Sequence, residues 1–263
     1  MTNTWTSTSD DLPDRYTRHA GTLRGALRHE LVARALRTHL LADAQRILDV
    51  GGGDGHQAVQ LARAGYVVTL LDPDIKMLQH AETRLAAEAN DVRQRVTMVH
   101  GPGEQACDLV GTGFDAVCCH GVLMYLADPQ PLLKAMVSVV RPGGLVSLLA
   151  KSANALAMRP GLKGQWAEAL TAMTTTTETG NLGVPSRAHT LEELRALLTA
   201  AGATTTVWYG VRIFADHRGD EPIPGNFDQI VELEWYGGSR DPYRQVARLL
   251  HLIAHREPQQ DAQ

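Results

Sequence analysis

At 263 residues, with 25 Lys and Arg against 29 Asp and Glu for a formal charge of -4, the chain suits one substantial domain and lacks the broad basic balance that indiscriminate polyanion binding draws on. Its 44% hydrophobic content can fill a core, while 21% charged residues and no apolar run of roughly 18 residues argue against disorder and against a membrane span. Cys107, Cys118 and Cys119 are uneven in spacing and make a poor disulfide framework; with no apolar segment behind a basic start, a cytoplasmic protein is expected.

Residues 1–45 read as an N-terminal helical cover, locally basic through Arg15, Arg18, Arg24 and Arg28. From Arg46, short β-rich runs alternate with longer helical ones: RILDV, a glycine turn, HQAVQLARAG, YVVTLLD and DIKMLQHAETRLAAEAN. This order predicts a parallel sheet with helical crossovers, continued by RVTMVH, FDAVCCH and GLVSLLA as third, fourth and fifth strands. Pro129 opens the helix QPLLKAMVSVV, and RPGG breaks it before the fifth strand.

Residues 46–150 therefore form one half of the domain. Residues 151–189 contain MRPG, a threonine run and GNLGVP, and read as an irregular or partly helical insertion, either an acceptor-site lid or a structural connection. Residues 190–263 complete the same sheet: Thr190 and Glu193 stand at capping-box spacing, Leu191, Leu194, Leu197 and Leu198 recur on one helix face, and TTTVWYGVRIF and VARLLHLIAH are the final strands. Neither a repeat nor a metal-ligand spacing is present in the sequence, so no metal is expected.

The strongest local signal is LDVGGGDGHQA, residues 48–58. Gly51, Gly53 and Gly55 follow a strand and precede a helix, where the absence of Cβ atoms permits a tight turn and close approach of a ligand. The loop has no following GKS or GKT, and GGGDG departs from the GxGxxG of dinucleotide enzymes; Asp54 also puts negative charge where a pyrophosphate needs a helix start. A nicotinamide-dependent oxidoreductase stays an alternative on topology alone. Asp72 ends the second strand, where it can accept two hydrogen bonds from a ribose diol or cap the next helix. Asp49 lies within an apolar run and needs compensation from a cationic ligand or from loop N–H groups.

LDVGGGDG, the acid after VVTLL, FDAVCCHGVLMYLADP and VVRPGGLVSLL together resemble the cofactor half of class I S-adenosylmethionine-dependent methyltransferases. The resemblance implies an α/β, Rossmann-like fold with a mostly parallel seven-stranded sheet and helices on both faces. It places Gly51, Gly53 and Gly55 along the methionine portion of S-adenosylmethionine, Asp49 at its amino group and Asp72 at its ribose. An acid after the third strand reads adenine in such families; Glu104 is the nearest candidate here, with Gln105 second.

The longer pattern, YTRHAGTLRGALR, HGVLMYLADP, YGVRIFADH and ARLLHLIA, is similar to the bacterial tRNA 5-carboxymethoxyuridine methyltransferase family. That resemblance implies methyl transfer to a carboxylate of a modified tRNA uridine. On chemical grounds Arg212, interrupting WYGVRIF, either holds a substrate carboxylate or forms a structural salt bridge. His120, directly after the fourth strand, either positions acceptor or cofactor, acts as a base, or is satisfied by the backbone. Arg187, Arg28 and Tyr125 are further acceptor-site candidates, each with a bland surface or packing alternative; Asn154, His217 and His251 enter by resemblance only. The insertion has few cations and the tail ends EPQQDAQ, which keeps open a small carboxylate-bearing or hydroxylated acceptor. A noncatalytic interaction protein on the same fold is the remaining alternative.

Overall fold

The computed structural model describes residues 12–180 and 183–258; the first eleven residues of the expected N-terminal cover and the last five of the chain lie outside them. Two helices lead in, α1 (Leu12–Ala20) and α2 (Leu23–His39), followed by β1 (Arg46–Val50), α3 (His56–Arg63), β2 (Val67–Asp72), α4 (Ile75–Ala86), β3 (Val96–His100) and β4 (Phe114–His120). After the helix Gln130–Val139 come β5 (Val140–Lys151), a small hairpin of β6 (Thr177–Thr179) and β7 (Pro185–Arg187), the helix Leu191–Ala200, β8 (Ala203–Val211), the helix Phe227–Gly238 and β9 (Leu249–Arg256).

Seven strands form one sheet in the order β3-β2-β1-β4-β5-β9-β8. Every pairing from β3 to β5 is parallel, and β9 runs antiparallel to both β5 and β8. The central strands read as unbroken apolar runs because both faces of the sheet are covered. Alternate residues divide into two cores: Ile47, Leu70, Cys118 and Ile253 pack under Leu23, Leu27 and Leu31 of α2, while Leu48, Leu71, Cys119 and Leu252 pack under Leu133, Leu194 and Leu198. The adjacent thiols of Cys118 and Cys119 therefore face opposite sides of the sheet, and both are free. No helix of the described residues is long and apolar enough to cross a membrane.

Several local expectations hold, and others need revision. The capping box is formed, with Thr190 Oγ1 accepting from the Glu193 N–H at 3.1 Å and Glu193 Oε2 accepting from the Thr190 N–H at 3.0 Å. RPGG does not precede the fifth strand but lies inside it: Phe114 pairs with Val140 and Ala116 with Leu145, so the residues between are looped out as an irregularity. A Cβ on Gly144 would lie 2.8 Å from the Asp115 carbonyl, which is why a small residue stands there.

The final strand in WYGVRIF stops at Val211. Arg212 adopts φ 64, in the left-handed region, and turns the chain out of the sheet. The polar, proline-containing stretch between the last two strands contains the helix Phe227–Gly238. Glu234 of that helix, fully buried, accepts the N–H groups of Ile213, Phe214 and Ala215 at 2.6, 2.9 and 2.9 Å, fixing the turn that carries Arg212.

Candidate active site

Three adjoining cavities open at the carboxyl ends of β1, β2, β4 and β5. The first, of about 670 Å³, is lined by Gly51, Gly53, Asp72, Glu104, His120 and Tyr125 among others. The glycine turn makes this space: Gly51 and Gly53 have φ 66 and 57, and a Cβ on Gly51 would strike Val122 at 2.4 Å. Gly55, φ 72, does not line the cavity. Its missing Cβ lets the start of α3 pack on Ala81, whose Cβ a side chain there would meet at 2.9 Å. Asp72 accepts the N–H groups of Gly53 and Asp74, both at 2.8 Å, and burial, only partly offset by those bonds, pushes its carboxyl up to about 6. The helix cap next to it is Asp74, not Asp72.

Glu104 lies at the cavity wall on a turn after β3, whereas Gln105 points to solvent and lines none of these cavities. The alternation of the turn sends its neighbours in opposite directions, so Gln105 is removed from the adenine-end candidates.

The second space, about 350 Å³, contains Asp49 together with Arg28, Gln57 and His120. Asp49 is buried; its Oδ1 accepts from Gln57 Nε2 at 3.1 Å and its Oδ2 has no partner. Burial raises its carboxyl to about 7. Gln57 Oε1 in turn meets His120 Nδ1 at 2.5 Å, His120 Nε2 meets Ser147 Oγ at 2.8 Å, and Ser147 Oγ meets His251 Nε2 at 2.8 Å. With both ring nitrogens engaged, and burial, helped by His251 and Arg28, holding its pKa well below the ordinary value, His120 is a neutral, fixed ring at the cavity wall rather than a base. His251, fully buried beneath it in β9, lines none of these cavities and belongs to the network instead.

The third cavity, about 790 Å³, shares Tyr16, Gly121 and Tyr125 with the first. Six cations line it: Arg24, Arg28, Lys151, Arg159, Arg212 and Arg248. Glu178 lies among them, and Asp216 stands behind, paired with Arg212 at 2.8 Å and Arg159 at 2.7 Å. Arg24 Nε, Arg212 Nε and Arg248 Nη1 are buried without hydrogen-bond partners. Burial, against the attraction of Asp216, brings Arg212 down to about 10, so it remains a cation at neutral pH.

Among the acceptor-site expectations, Arg212, Arg28 and Tyr125 do meet here. Arg28 spans the second and third cavities, donating to the His120 carbonyl and to the Tyr16 hydroxyl, each at 2.8 Å. Asn154 does not join them; it is exposed on a short turn after β5. Arg187 does not either, because β7 carries it to an outer groove where it faces Glu193 at 3.9 Å. His217 sits in a separate small pocket behind Arg212. Trp208 packs under Arg244 and Tyr209 stacks on Trp235, so both are framework. Lys151, Arg159, Arg248 and Gln57 had no sequence signal, since they converge from distant segments.

Residues 48–148, the stretch holding the glycine turn, Asp49, Asp72, Glu104 and His120, match the family model described as a methyltransferase domain. The chain is a class I S-adenosylmethionine-dependent methyltransferase. Its nicotinamide and noncatalytic alternatives are thereby set aside. The methyltransferase is similar to the tRNA 5-carboxymethoxyuridine methyltransferase of Escherichia coli (strain K12), with 29% identity over 256 residues, 95% of this chain and 96% of that one. Over a shorter region it is 34% identical to the ubiquinone biosynthesis O-methyltransferase of Paracidovorax citrulli (strain AAC00-1), across 114 residues, 43% of this chain and 46% of the relative. Its fold is that of the magnesium protoporphyrin IX methyltransferase from Synechocystis PCC 6803, with a TM-score of 0.61 and 17% identity over 93% of this chain and 94% of that one. Among the methyltransferase's described residues, no group of His, Cys, Asp and Glu is arranged to hold a metal ion.

Proposed function

We propose that this methyltransferase esterifies a carboxylate of its acceptor, and that the acceptor is a modified uridine of tRNA. The observation that carries the reading is the cavity of six cations beside the cofactor space, with three buried guanidinium N–H groups left without partners. Buried donors without partners are costly, and an anionic guest removes that cost. An amine acceptor, cationic until deprotonated, is repelled there.

The cofactor fits the residues present. When bound, S-adenosylmethionine supplies a methyl group on a sulfonium. Asp49, with one unsatisfied buried oxygen, and Arg28 across the same space suit the ammonium and carboxylate of its amino-acid end. Asp72 suits the ribose hydroxyls, Glu104 the adenine amino group, and Gly51 and Gly53 let the ligand approach the backbone.

A carboxylate acceptor is already ionised at neutral pH and needs no general base, in keeping with a His120 ring whose nitrogens are both engaged. With the cofactor bound, the acceptor oxygen would be the nucleophile toward the sulfonium methyl. Arg212 and Arg248 orient the carboxylate, while Tyr16, Met124 and Tyr125 wall off water, so that alignment and exclusion of solvent do most of the work. Support for tRNA as the bearer is the likeness to the Escherichia coli enzyme along nearly the whole chain.

A small carboxylate-bearing molecule is the second reading. It is favoured by two short helices, Met158–Leu162 and Trp166–Ala172, which with Met173 present Met158, Leu162, Trp166 and Leu170 to solvent rather than cations for a phosphate backbone. Incubation with methyl-labelled S-adenosylmethionine and cell extract, followed by separation of RNA from small molecules, tests both. Label in tRNA that mild alkali releases as methanol is expected. Alkali-stable label rejects esterification, and base-labile label confined to small molecules rejects tRNA.

A further inference from the structure

The third cavity contains an acid that the proposed reaction does not use. Glu178 stands in β6, part of a hairpin whose strands pair with each other and not with the main sheet. Its Oε1 accepts from Lys151 Nζ at 2.7 Å and also from Arg248 Nη2. The two cations are nearly inaccessible, with side-chain exposures of 8% and 4%, while Glu178 retains 25%. Burial opposes its charge, yet Arg248 and Lys151 outweigh it and keep the carboxyl below the ordinary range.

The pairing is incomplete. Both bonds fall on one oxygen, and Arg248 Nη1 remains buried without a partner, so only half of the guanidinium fork is used. The Asp216 pairs behind the cavity differ: Asp216 uses both oxygens, one toward Arg212 and one toward Arg159, and is itself buried.

We propose that Glu178 occupies the position of the acceptor's carboxylate in the acceptor-free protein and is displaced by it, an internal counter-ion that competes with every guest and that an anionic guest replaces. The inference rests on the carboxylate reading above. A neutral molecule that pushed Glu178 aside would leave Lys151 buried without its acid and Arg248 with only the field of Asp216, an unfavourable state. An incoming carboxylate restores the pairing and engages both arms of the Arg248 fork. Glu178 thus yields most readily to a guest that replaces its charge.

The test uses the S-adenosylhomocysteine-loaded protein, titrated calorimetrically with phenoxyacetate and with phenoxyacetamide as its neutral counterpart. Glu178→Gln, similar in shape but uncharged, is expected to bind phenoxyacetate on the order of tenfold more tightly than the native protein, a gain of about 1.4 kcal/mol. Phenoxyacetamide, which no longer has to part Glu178 from its cations, should gain as well while remaining weaker than the acid, and S-adenosylhomocysteine affinity should not change, because Glu178 does not line the cofactor cavity. Glu178→Asp, which withdraws the charge by one methylene, should give a smaller gain and serves if the glutamine variant does not fold.

Unchanged or weaker phenoxyacetate binding in these variants, with the native protein still preferring the acid to the amide, makes Glu178 a fixed counter-ion and overturns the inference alone. No preference for the acid in any of the proteins overturns the carboxylate reading together with it.

Discussion

The carboxylate of Glu234 touches none of the Arg212 side chain, yet it accepts the three peptide N–H groups that directly follow Arg212 in the chain. Arg212 sits at φ 64, a conformation that costs a non-glycine residue of order 1 kcal/mol or more and persists only where neighbours impose it. Glu234→Ala should therefore remove about 3–5 kcal/mol of stability, seen as a lowered urea midpoint, because it strands buried donors. Acceptor turnover should fall with it while cofactor affinity at low temperature stays near native.

Arg212→Ala separates acceptor from cofactor more directly. The guanidinium lines the cation cavity and is absent from the cofactor space. Loss of kcat/KM for the acceptor on the order of a hundredfold, about 2.7 kcal/mol, is expected with an unchanged Kd for S-adenosylhomocysteine. Equal losses in both would assign the residue to the framework.

Asp72→Ala should weaken S-adenosylhomocysteine binding by about 1.5–3 kcal/mol, the usual range for hydrogen bonds to a charged group. It also frees the Gly53 and Asp74 N–H groups, so the glycine turn should lose protection from hydrogen exchange. Unaltered affinity by calorimetry would remove the ribose assignment.

Asp49 gives a pH signature of defined sign. Its folded carboxyl lies at about 7 against 3.8 for the ordinary group, so the ligand-free fold binds the extra proton and this residue's contribution to stability is lost as pH rises from 3.8 through about 7. Cofactor binding runs the other way, because the ammonium of the ligand pairs with the ionised form. Affinity for S-adenosylhomocysteine should drop by up to about tenfold per pH unit below 7, with proton release on binding. Asp49→Asn should lose both the affinity and that proton release; a pH profile like the native one would show that another group is responsible.

The sheet was readable because its central strands are covered on both sides: RILDV, VVTLLD and FDAVCCH are apolar runs without alternation, punctuated by glycine turns. The β6–β7 hairpin was not, since strands of three residues are too short to carry a periodicity. The helix Phe227–Gly238 escaped notice for another reason: Asn226 makes no side-chain cap, and its buried face includes the charge of Glu234. In the site, Asp49 and Asp72 stood out by position alone, one within the first strand just before the glycine turn and the other at the end of the second strand. The cation cavity was legible only through Arg212, Arg28 and Tyr125, because Lys151, Arg159 and Arg248 come from a strand end, an insertion helix and the residue before the last strand. Asn154 and His251 had only resemblance behind them and Arg187 only its charge and its place before the capped helix, and none of them lines any of the three adjoining cavities.

Tyr16, on the first helix, is a wall of all three cavities. One phenol ring, its hydroxyl held by Arg28 at 2.8 Å, thus borders the cofactor space and the cation cavity alike. A change confined to that side chain is felt in both compartments at once, which ties their shapes together across the sheet's edge.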